Sequence, residues 1–238
     1  MSPELSVLLV TALTLGVIHT AVGLDHTLPF VLLGRARKWS LAHTLVVAST
    51  CGLAHVLSSV VIGLLGATLA VGLASLSWFE KTRGSWAAMG LMVFGLVYSA
   101  KALWNIRVAS PHRHVHLHKD GTVHGHLHGH GSSHAHWSSL PTNSKSGVTF
   151  ALLVVFLLGP CEALLPLMTA PSLMNNPSAS MVVALVFGAA TLLTMNVLIT
   201  LGWHGLQSTW LARLEPHMHW VAGVIITLSG VGMQFGGL

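Results

Sequence analysis

Charged residues are scarce in this chain. Asp, Glu, Lys and Arg together make up 7% of the 238 residues, whereas a soluble domain carries about 25%. Too few charges are therefore present to cover a water-facing surface. Hydrophobic residues make up 53% and recur in long apolar runs, which lipid tolerates and water does not. The composition argues against a soluble fold and predicts an all-α polytopic protein of the plasma or inner membrane.

Cysteines and basic residues are also few. Cys51 and Cys161 are the only cysteines, and both lie inside apolar stretches, so a disulfide framework is excluded. Eleven Lys and Arg residues spread over the whole length do not form a nucleic-acid patch. The sequence has no Gly-rich phosphate loop, so nothing indicates ATP hydrolysis. We expect a protein that is not an enzyme and does not bind nucleic acid.

Six apolar stretches are long enough to cross a membrane, for which about 20 residues are needed. They cover residues 5–24, 41–73, 86–106, 148–168, 181–203 and 219–235. The second stretch has more than 30 residues, so it must tilt, extend beyond the bilayer or break. Gly63, Gly66 and Gly72 are the candidate break points.

The two halves of the chain, residues 1–106 and 147–238, look like repeats. LGVIHTAVGLDHTLPFVLL aligns with LLGPCEALLPLMTAPSLM when His19 is placed opposite Cys161, and WAAMGLMVFG in the third stretch is similar to WVAGVIITLSG in the sixth. Three spans per half is an odd number, so the halves would enter the membrane in opposite senses. We predict six transmembrane helices in a three-plus-three inverted repeat, with a site near the midplane. The alternative is chance similarity between Leu/Val/Gly-rich segments.

Histidine is unusually abundant, and ten of the seventeen copies lie between His112 and His136. The segment around them, residues 107–146, has low complexity and no apolar periodicity, so we expect it to be disordered without metal. Closely spaced imidazoles suit Ni, Co, Zn or Cu and are too soft for Mg or Ca. Low complexity with no role in metal binding is the alternative.

The basic residues predict the orientation. Nine Lys and Arg fall on one side of the predicted spans and two, Lys81 and Arg83, fall on the other. Because positive residues accumulate on the cytoplasmic side, the His-rich loop is expected in the cytoplasm and both termini are expected outside.

The first span ends with three ionisable residues, His19, Asp25 and His26. Seven residues are almost two helical turns, so the two histidines are predicted to share one face. An Asp at the bilayer centre costs about 2.5–3.5 kcal/mol and is usually functional. Two imidazoles and a carboxylate suit Ni²⁺, Co²⁺ or Zn²⁺. The alternatives are histidines that hydrogen-bond between helices and an aspartate that caps a helix or pairs with Arg35 or Arg37.

Four further residues are candidate ligands. His43 and His55 lie in the second span, twelve residues apart and so on faces about 120° apart. Cys161 and Glu162 follow Pro160, which is expected to kink the fourth span and free backbone carbonyls. Such a break is tolerated where it faces protein or a cavity. A structural kink with an inert cysteine and a protonated glutamate is the alternative.

These motifs resemble the nickel/cobalt transporter families. HTAVGLDH in the first span, LAHTLVV and GLAHVLSSVV in the second, the His-rich loop and the GPC element are similar to permeases with an H-x4-D-H signature and to efflux proteins with a histidine-rich cytoplasmic loop. Both groups are placed in the lysine-exporter superfamily of three-plus-three helix proteins. The motif here is H-x5-D-H, one residue longer. The resemblance implies that His19, Asp25 and His26 are metal ligands, with His43 and His55 as second-span histidines.

The resulting expectation is a transporter of Ni²⁺ or Co²⁺, with Zn²⁺ as a further candidate, that needs no cofactor. Its partners would be the metal ion and membrane lipid, and proton release on binding would couple it to a proton gradient. Two other functions stay open: a thiol–disulfide electron carrier that uses Cys51 and Cys161, and a metal-sensing module in which the spans only anchor the His-rich loop.

Overall fold

The computed structural model describes residues 3–68, 73–108, 112–117, 123–128, 145–159, 161, 163–168, 176–205 and 217–236. Its helices are α1 (Pro3–Val22), α2 (Leu28–Ala36), α3 (Leu41–Thr68), α4 (Leu73–Val108), α5 (Lys145–Leu158), α6 (Leu164–Met168), α7 (Pro177–Gly205) and α8 (Met218–Gly236). A 3₁₀ turn, Leu24–His26, joins α1 to α2. Two strands, β1 (His112–Leu117) and β2 (Val123–His128), pair in an antiparallel manner.

Five helices, α1, α3, α4, α7 and α8, are long and apolar enough to cross a membrane. Their outer faces carry large exposed apolar side chains, among them Val7, Leu193 and Leu228. Exposed apolar surface of this extent is compatible with lipid rather than water. The chain is therefore an integral multi-pass membrane protein, and its membrane-spanning part is helical.

Local signals explain where several helices begin. The Ser40 hydroxyl accepts a hydrogen bond from the backbone N–H of His43 at 3.2 Å, which caps the first turn of α3. The Asn176 side chain caps α7 by accepting from the N–H of Ala179 at 3.1 Å. Proline occupies the first residue of α1 and of α7, where its missing N–H removes no helical hydrogen bond.

Two predicted spans differ from the observed helices. The second is continuous through Gly63 and Gly66 to Thr68, while Gly72 lies outside the described residues. The third begins at Leu73 rather than at residue 86. Consequently Arg83, which was predicted in an outside loop, lies inside α4.

The predicted fourth span, residues 148–168, is not one continuous helix. α5 ends at Leu158 and α6 begins at Leu164, and the described part of α5 is too short to cross a bilayer alone. This interruption lies where Pro160 was expected to kink the span, although Pro160 itself is outside the described residues. A second interruption separates α1 from α2 at Gly23.

The most extensive helix–helix contact joins α4 and α8 and is made through small residues. A methyl group on Gly95 would come within 2.6 Å of the carbonyl oxygen of Gly223, and one on Gly230 within 2.8 Å of the carbonyl oxygen of Ala88. Because residue numbers rise along α4 while they fall along α8, the two helices run antiparallel. Close backbone approach at small residues is the usual packing mode of membrane helices.

Two apolar clusters flank the centre of the protein. The first contains Phe30, Leu152 and Phe156, and the second contains Val183 and Phe187. Histidine rings lie beside a phenylalanine of each cluster, as described below. The polar centre of the protein therefore lies where the two clusters meet.

In the His-rich segment, β1 and β2 pair in the register His112 with His128, His114 with His126 and His116 with His124. Residues 118–122 and 129–144 lie outside the described residues. The expectation that the segment is disordered without metal stays a prediction.

Candidate metal centre

The interruption after α1 brings His19 and His26 together. The backbone N–H of Gly23 donates to the carbonyl of His19 at 3.0 Å, and the N–H of His26 donates to the carbonyl of Gly23 at 3.1 Å. The first bond is of the α-helical type and the second closes the 3₁₀ turn, and the two imidazole rings lie 4.8 Å apart between centroids. The two histidines do meet as predicted, although α1 ends at Val22 and His26 lies in the turn that follows it.

Gly23 has no room for a side chain. A β-carbon there would lie 2.5 Å from Nδ1 of His26 and 3.0 Å from Oδ1 of Asp25. Real β-carbons do not approach other atoms as closely as 2.5 Å. A glycine is therefore needed for the turn to hold the aspartate and the histidine where they are.

The third histidine comes from α3. The ring of His55 lies 5.5 Å from that of His26, and both rings are buried. Nδ1 of His55 lies 3.2 Å from the carbonyl oxygen of Phe156 in the last turn of α5. The same oxygen also accepts from the backbone N–H of Gly159 at 3.1 Å, so this carbonyl at the end of α5 serves both the turn that ends the helix and His55.

The hydrogen bonds of the histidines indicate which nitrogen faces the centre. His26 Nδ1 lies 3.1 Å from Asp25 Oδ1, and His55 Nδ1 donates to the Phe156 carbonyl. Metal-ligating histidines usually donate one ring N–H to a carboxylate or a carbonyl and bind metal through the other nitrogen. The Nε2 atoms of both residues are therefore the candidate ligand atoms.

The Nε2 atoms of His19, His26 and His55 are all buried and have no hydrogen-bond partner among the described residues. Leaving a buried polar atom unpaired costs about 1–3 kcal/mol. One ring nitrogen from each histidine falls within 4.8 Å of those of the other two. Nitrogens on one tetrahedral metal ion lie about 3.3 Å apart, from a metal–nitrogen distance of about 2.0–2.1 Å. A contraction of roughly 1.5 Å would thus complete a three-histidine site.

A cavity of about 30 Å³ lies between these three histidines, and Asp25, Leu91 and Met233 also line it. That volume holds about two water molecules. In the same measure one water needs about 10–15 Å³, so the six waters of a fully hydrated divalent ion need roughly 60–90 Å³. An ion can therefore enter only after it loses most of its water, which the imidazoles and the carboxylate would replace. We call His19, Asp25, His26 and His55 the metal centre.

The metal centre lies near the middle of α4. Leu91 lines the cavity, and Trp78 and Trp104 lie thirteen residues before and after it, both exposed, at 69% and 70%. Thirteen helical residues rise about 20 Å. Exposed tryptophans gather at the two membrane interfaces, which are about 40–45 Å apart. The metal centre therefore lies about midway along a helix that is long enough to cross a membrane.

The other predicted ligands lie elsewhere. His43 is exposed at the start of α3, where its ring packs 4.9 Å from that of Trp39, about 18 Å along the helix from His55. Cys161 is fully buried in the second apolar cluster and is not one of the residues that line the cavity. Glu162 lies outside the described residues.

Arg35, one of the two arginines that the sequence offered as alternative partners of Asp25, is engaged elsewhere. The guanidinium of Arg35 lies 4.4 Å above the ring of Trp203 and donates to the Trp203 carbonyl. Asp25 is paired with His26 instead. The carboxylate therefore belongs to the metal centre.

The two cysteines do not form a pair. Cys51 packs in the first apolar cluster and Cys161 in the second, and both thiols are free and buried. An electron relay needs thiols that can reach each other or a partner. This arrangement does not favour the thiol–disulfide reading.

Sequence reasoning missed two buried charges, Glu80 and Arg83, which form an ion pair at 2.7 Å inside α4. The signal available in the sequence was the spacing of three residues, at which opposite charges meet on one helix face. The pair was overlooked because the third span was predicted to start after it.

Compared with known proteins, the chain matches no family model, no curated protein and no solved structure.

Proposed function

We propose that this protein transports divalent transition-metal cations across the membrane, with Ni²⁺ or Co²⁺ as the favoured substrate and Zn²⁺ as a further candidate. One observation carries the proposal: three imidazoles converge beside a carboxylate, and the buried Nε2 atom of each has no hydrogen-bond partner among the described residues. Buried ionisable groups inside membrane proteins usually mark an ion pathway.

The ligand chemistry favours this class of ion. Imidazole nitrogen suits Ni, Co, Zn and Cu, whereas Mg²⁺ and Ca²⁺ take oxygen ligands. Asp25 supplies one negative charge to an otherwise neutral ligand set. The three-histidine set provides no basis for separating Ni²⁺ from Co²⁺, and that choice comes from the resemblance in the sequence.

The helix boundaries support the inverted repeat and six membrane crossings. Equivalent helix boundaries in the two halves are separated by 136 residues. This holds for the ends of α1 and α5, for the starts of α2 and α6, and for the starts of α3 and α7. The pairs are Val22 with Leu158, Leu28 with Leu164, and Leu41 with Pro177. In this register α5 and α6 are the counterpart of α1 and α2, and Cys161 aligns with Asp25 rather than with His19.

The contact between α3 and α7 supports the same register. A β-carbon on Gly52 would meet Leu192 at 2.9 Å, and one on Gly188 would meet Val56 at 3.0 Å. Adding 136 to Gly52 and to Val56 gives Gly188 and Leu192. The two contacts are thus equivalent across a pseudo-two-fold axis, as expected where inverted repeats meet.

The orientation follows from the basic residues, with the His-rich loop in the cytoplasm and both termini outside. Arg83 is buried against Glu80, so Lys81 is the remaining exposed basic residue of the two assigned to the outer side. That change strengthens the charge bias. The His-rich loop would concentrate or buffer metal on the cytoplasmic side.

Transport would proceed by exchange of ligands at the metal centre. The ion loses water as it enters the cavity, binds the three imidazoles and Asp25, and leaves on the other side as one repeat rocks against the other. Imidazoles must be neutral to bind metal, so binding releases protons and couples transport to a proton gradient. Cys161 and Glu162, beside the second helix interruption, are proposed as additional ligands from the other half.

Asp25→Asn tests the proposal. The amide keeps the size of the side chain and removes its charge, so we expect Co²⁺ and Ni²⁺ flux into proteoliposomes to be lost while the protein still folds. His43→Ala, which removes an exposed histidine outside the metal centre, serves as the control and should transport normally. Undiminished flux in Asp25→Asn would remove the proposed site.

The alternatives have their own tests. If the spans only anchor a metal sensor, deletion of residues 112–136 abolishes the metal response and the intact protein shows no flux. Persistent flux after the deletion makes the loop accessory. If the protein is a thiol carrier, replacing Cys51 and Cys161 by serine abolishes an electron-relay activity, whereas a transporter keeps its metal flux.

A further inference from the structure

The buried ion pair formed by Glu80 and Arg83 has no role in the proposed function so far. The carboxylate is fully buried and the arginine is 8% exposed, and their nearest atoms are 2.7 Å apart. A buried charge costs several kcal/mol of desolvation, which a partner offsets only in part. Two such charges within a membrane-spanning helix indicate a function.

Two serines connect Arg83 of the ion pair to the helical turn that follows His55. Arg83 donates to the hydroxyl of Ser58 at 3.0 Å and to that of Ser59 at 2.8 Å. Ser58 in turn donates to the carbonyl of His55 at 2.8 Å. Three to four residues of helix rise about 4.5–6 Å, so the arginine charge lies within electrostatic reach of an ion held by His55.

The pair lies on one particular side of the metal centre. Arg83 precedes Leu91, which lines the cavity, by eight residues of α4, and that distance is about 12 Å. The His-rich loop follows the opposite end of α4. Glu80 is therefore placed on the half of the pathway that faces away from the loop.

Two polar atoms of the ion pair lack hydrogen-bond partners. Oε1 of Glu80 and Nε of Arg83 are buried and have no hydrogen-bond partner in the described part of the chain. A purely structural buried pair is stabilising only when its remaining polar atoms are hydrogen-bonded. The thiol of Cys161, also fully buried, lies within electrostatic range of both charges. A carboxylate oxygen without a partner and a thiol from the second half of the chain therefore lie in the same region.

We propose that Glu80 is a second binding station for the transported divalent cation and that Arg83 is the tethered cation that neutralises it while no metal is present. The inference rests on the proposed function. An ion that moves between the metal centre and the side away from the His-rich loop displaces Arg83 from the Glu80 carboxylate. Arg83 keeps its hydrogen bonds to the two serine hydroxyls during the exchange.

Removing the charge of Arg83 and removing that of Glu80 should then have opposite effects on the affinity for the metal ion. Arg83→Gln leaves an unpaired carboxylate near the metal centre, which attracts the ion and slows its release. Glu80→Gln leaves an unpaired positive charge there, which repels the ion. In the double variant both charges are absent, and a neutral pair of similar size often replaces a buried ion pair without loss of stability.

The experiment measures Co²⁺ flux into proteoliposomes with the full chain, over a range of Co²⁺ concentrations. We expect Arg83→Gln to lower KM and the maximal rate, each by about threefold or more, and Glu80→Gln to raise KM by about tenfold. The double variant should return KM to within about threefold of the wild type. Lys81→Gln removes an exposed positive charge from the same helix and should leave both parameters unchanged.

A merely structural pair predicts a different pattern. Both single variants would then lose thermal stability and flux in the same direction, and the double variant would not recover KM, which overturns the proposal. If Arg83→Gln does not fold, Arg83→Lys replaces it, and KM should fall by a smaller factor because one ammonium group holds Glu80 less firmly. An unchanged or raised KM in that variant also overturns the proposal. Absence of Co²⁺ flux in the wild type would instead contradict the proposed function.

Discussion

Nδ1 of His55 lies 3.2 Å from the carbonyl oxygen of Phe156, a residue 101 positions later in the chain. The bond connects α3, in the first half, to the last turn of α5, in the second. It turns the buried Nε2 of His55 toward the other two histidines, so a helix interruption in one half orients a ligand that belongs to the other. A movement of one half against the other would therefore change the ligand geometry directly.

His55→Ala should lower the affinity for Co²⁺ by at least about 100-fold, because it removes a ligand and the bond that orients it. Co²⁺ absorption in detergent reports the loss, since four-coordinate Co²⁺ with nitrogen ligands absorbs far more strongly than hydrated Co²⁺. His204→Ala removes an exposed histidine at the end of α7 and should bind as the wild type does. Equal affinities in the two variants would mean that His55 is not a ligand.

Gly23→Ala should disrupt the metal centre without removing any ligand. The added methyl group would lie 2.5 Å from Nδ1 of His26, so the ring must move away and the pair with Asp25 must break. We expect Co²⁺ affinity to fall by about tenfold or more. Gly205→Ala, at a position where a β-carbon meets nothing within 4 Å, is the matched control. Wild-type affinity in Gly23→Ala would show that the turn is not needed.

The amino-acid pattern was sufficient to predict the membrane class and to name the four ionisable residues that line the central cavity. His19, Asp25 and His26 were identified because ionisable residues are costly in lipid, and that argument needs no knowledge of the fold. The helix that was predicted to carry both histidines ends at Val22, and His26 lies in the short 3₁₀ turn that follows. A local motif identifies ligand types, whereas the path of the backbone depends on tertiary packing.

Other features were beyond the reach of sequence reasoning for physical reasons. His43 and His55 look alike in the sequence, yet one is exposed and the other buried, because the choice depends on which helices pack against each face of α3. The hydrogen bond to Phe156 was not predictable, because the acceptor is a backbone carbonyl and every residue has one whatever its side chain. Arg83 was misplaced because polar residues end a hydropathy-based span even where the helix continues.

The affinity for metal should rise with pH. Imidazole binds metal only as the neutral base, so protons compete with the metal for each ligand nitrogen. We expect Co²⁺ affinity to fall as the pH is lowered, and binding to release protons from any ligand histidine that is protonated. Isothermal titration at several pH values, in buffers of different ionisation enthalpy, measures the affinity and counts these protons. An affinity that stays constant down to the lowest pH at which the protein remains folded would exclude imidazole ligands.

The packing of α4 on α8 predicts a difference between two glycines on one helix. A β-carbon on Gly95 would lie 2.6 Å from the carbonyl oxygen of Gly223 and 2.6 Å from the backbone nitrogen of Thr227, whereas one on Gly90 meets only Val155, at 3.5 Å. Backbone atoms cannot rotate away as a side chain can. Gly95→Ala should therefore force the helices apart and destabilise the protein by about 1–3 kcal/mol.

Gly90→Ala should be neutral or stabilising, because alanine favours a helix over glycine by about 0.8–1.0 kcal/mol. Thermal unfolding in detergent, followed by circular dichroism, compares the two variants under identical conditions. The same pair also separates packing from ligand chemistry, since neither glycine contacts an imidazole of the metal centre. If Gly95→Ala melts at or above the temperature of Gly90→Ala, the two helices do not approach as closely as the structure has them.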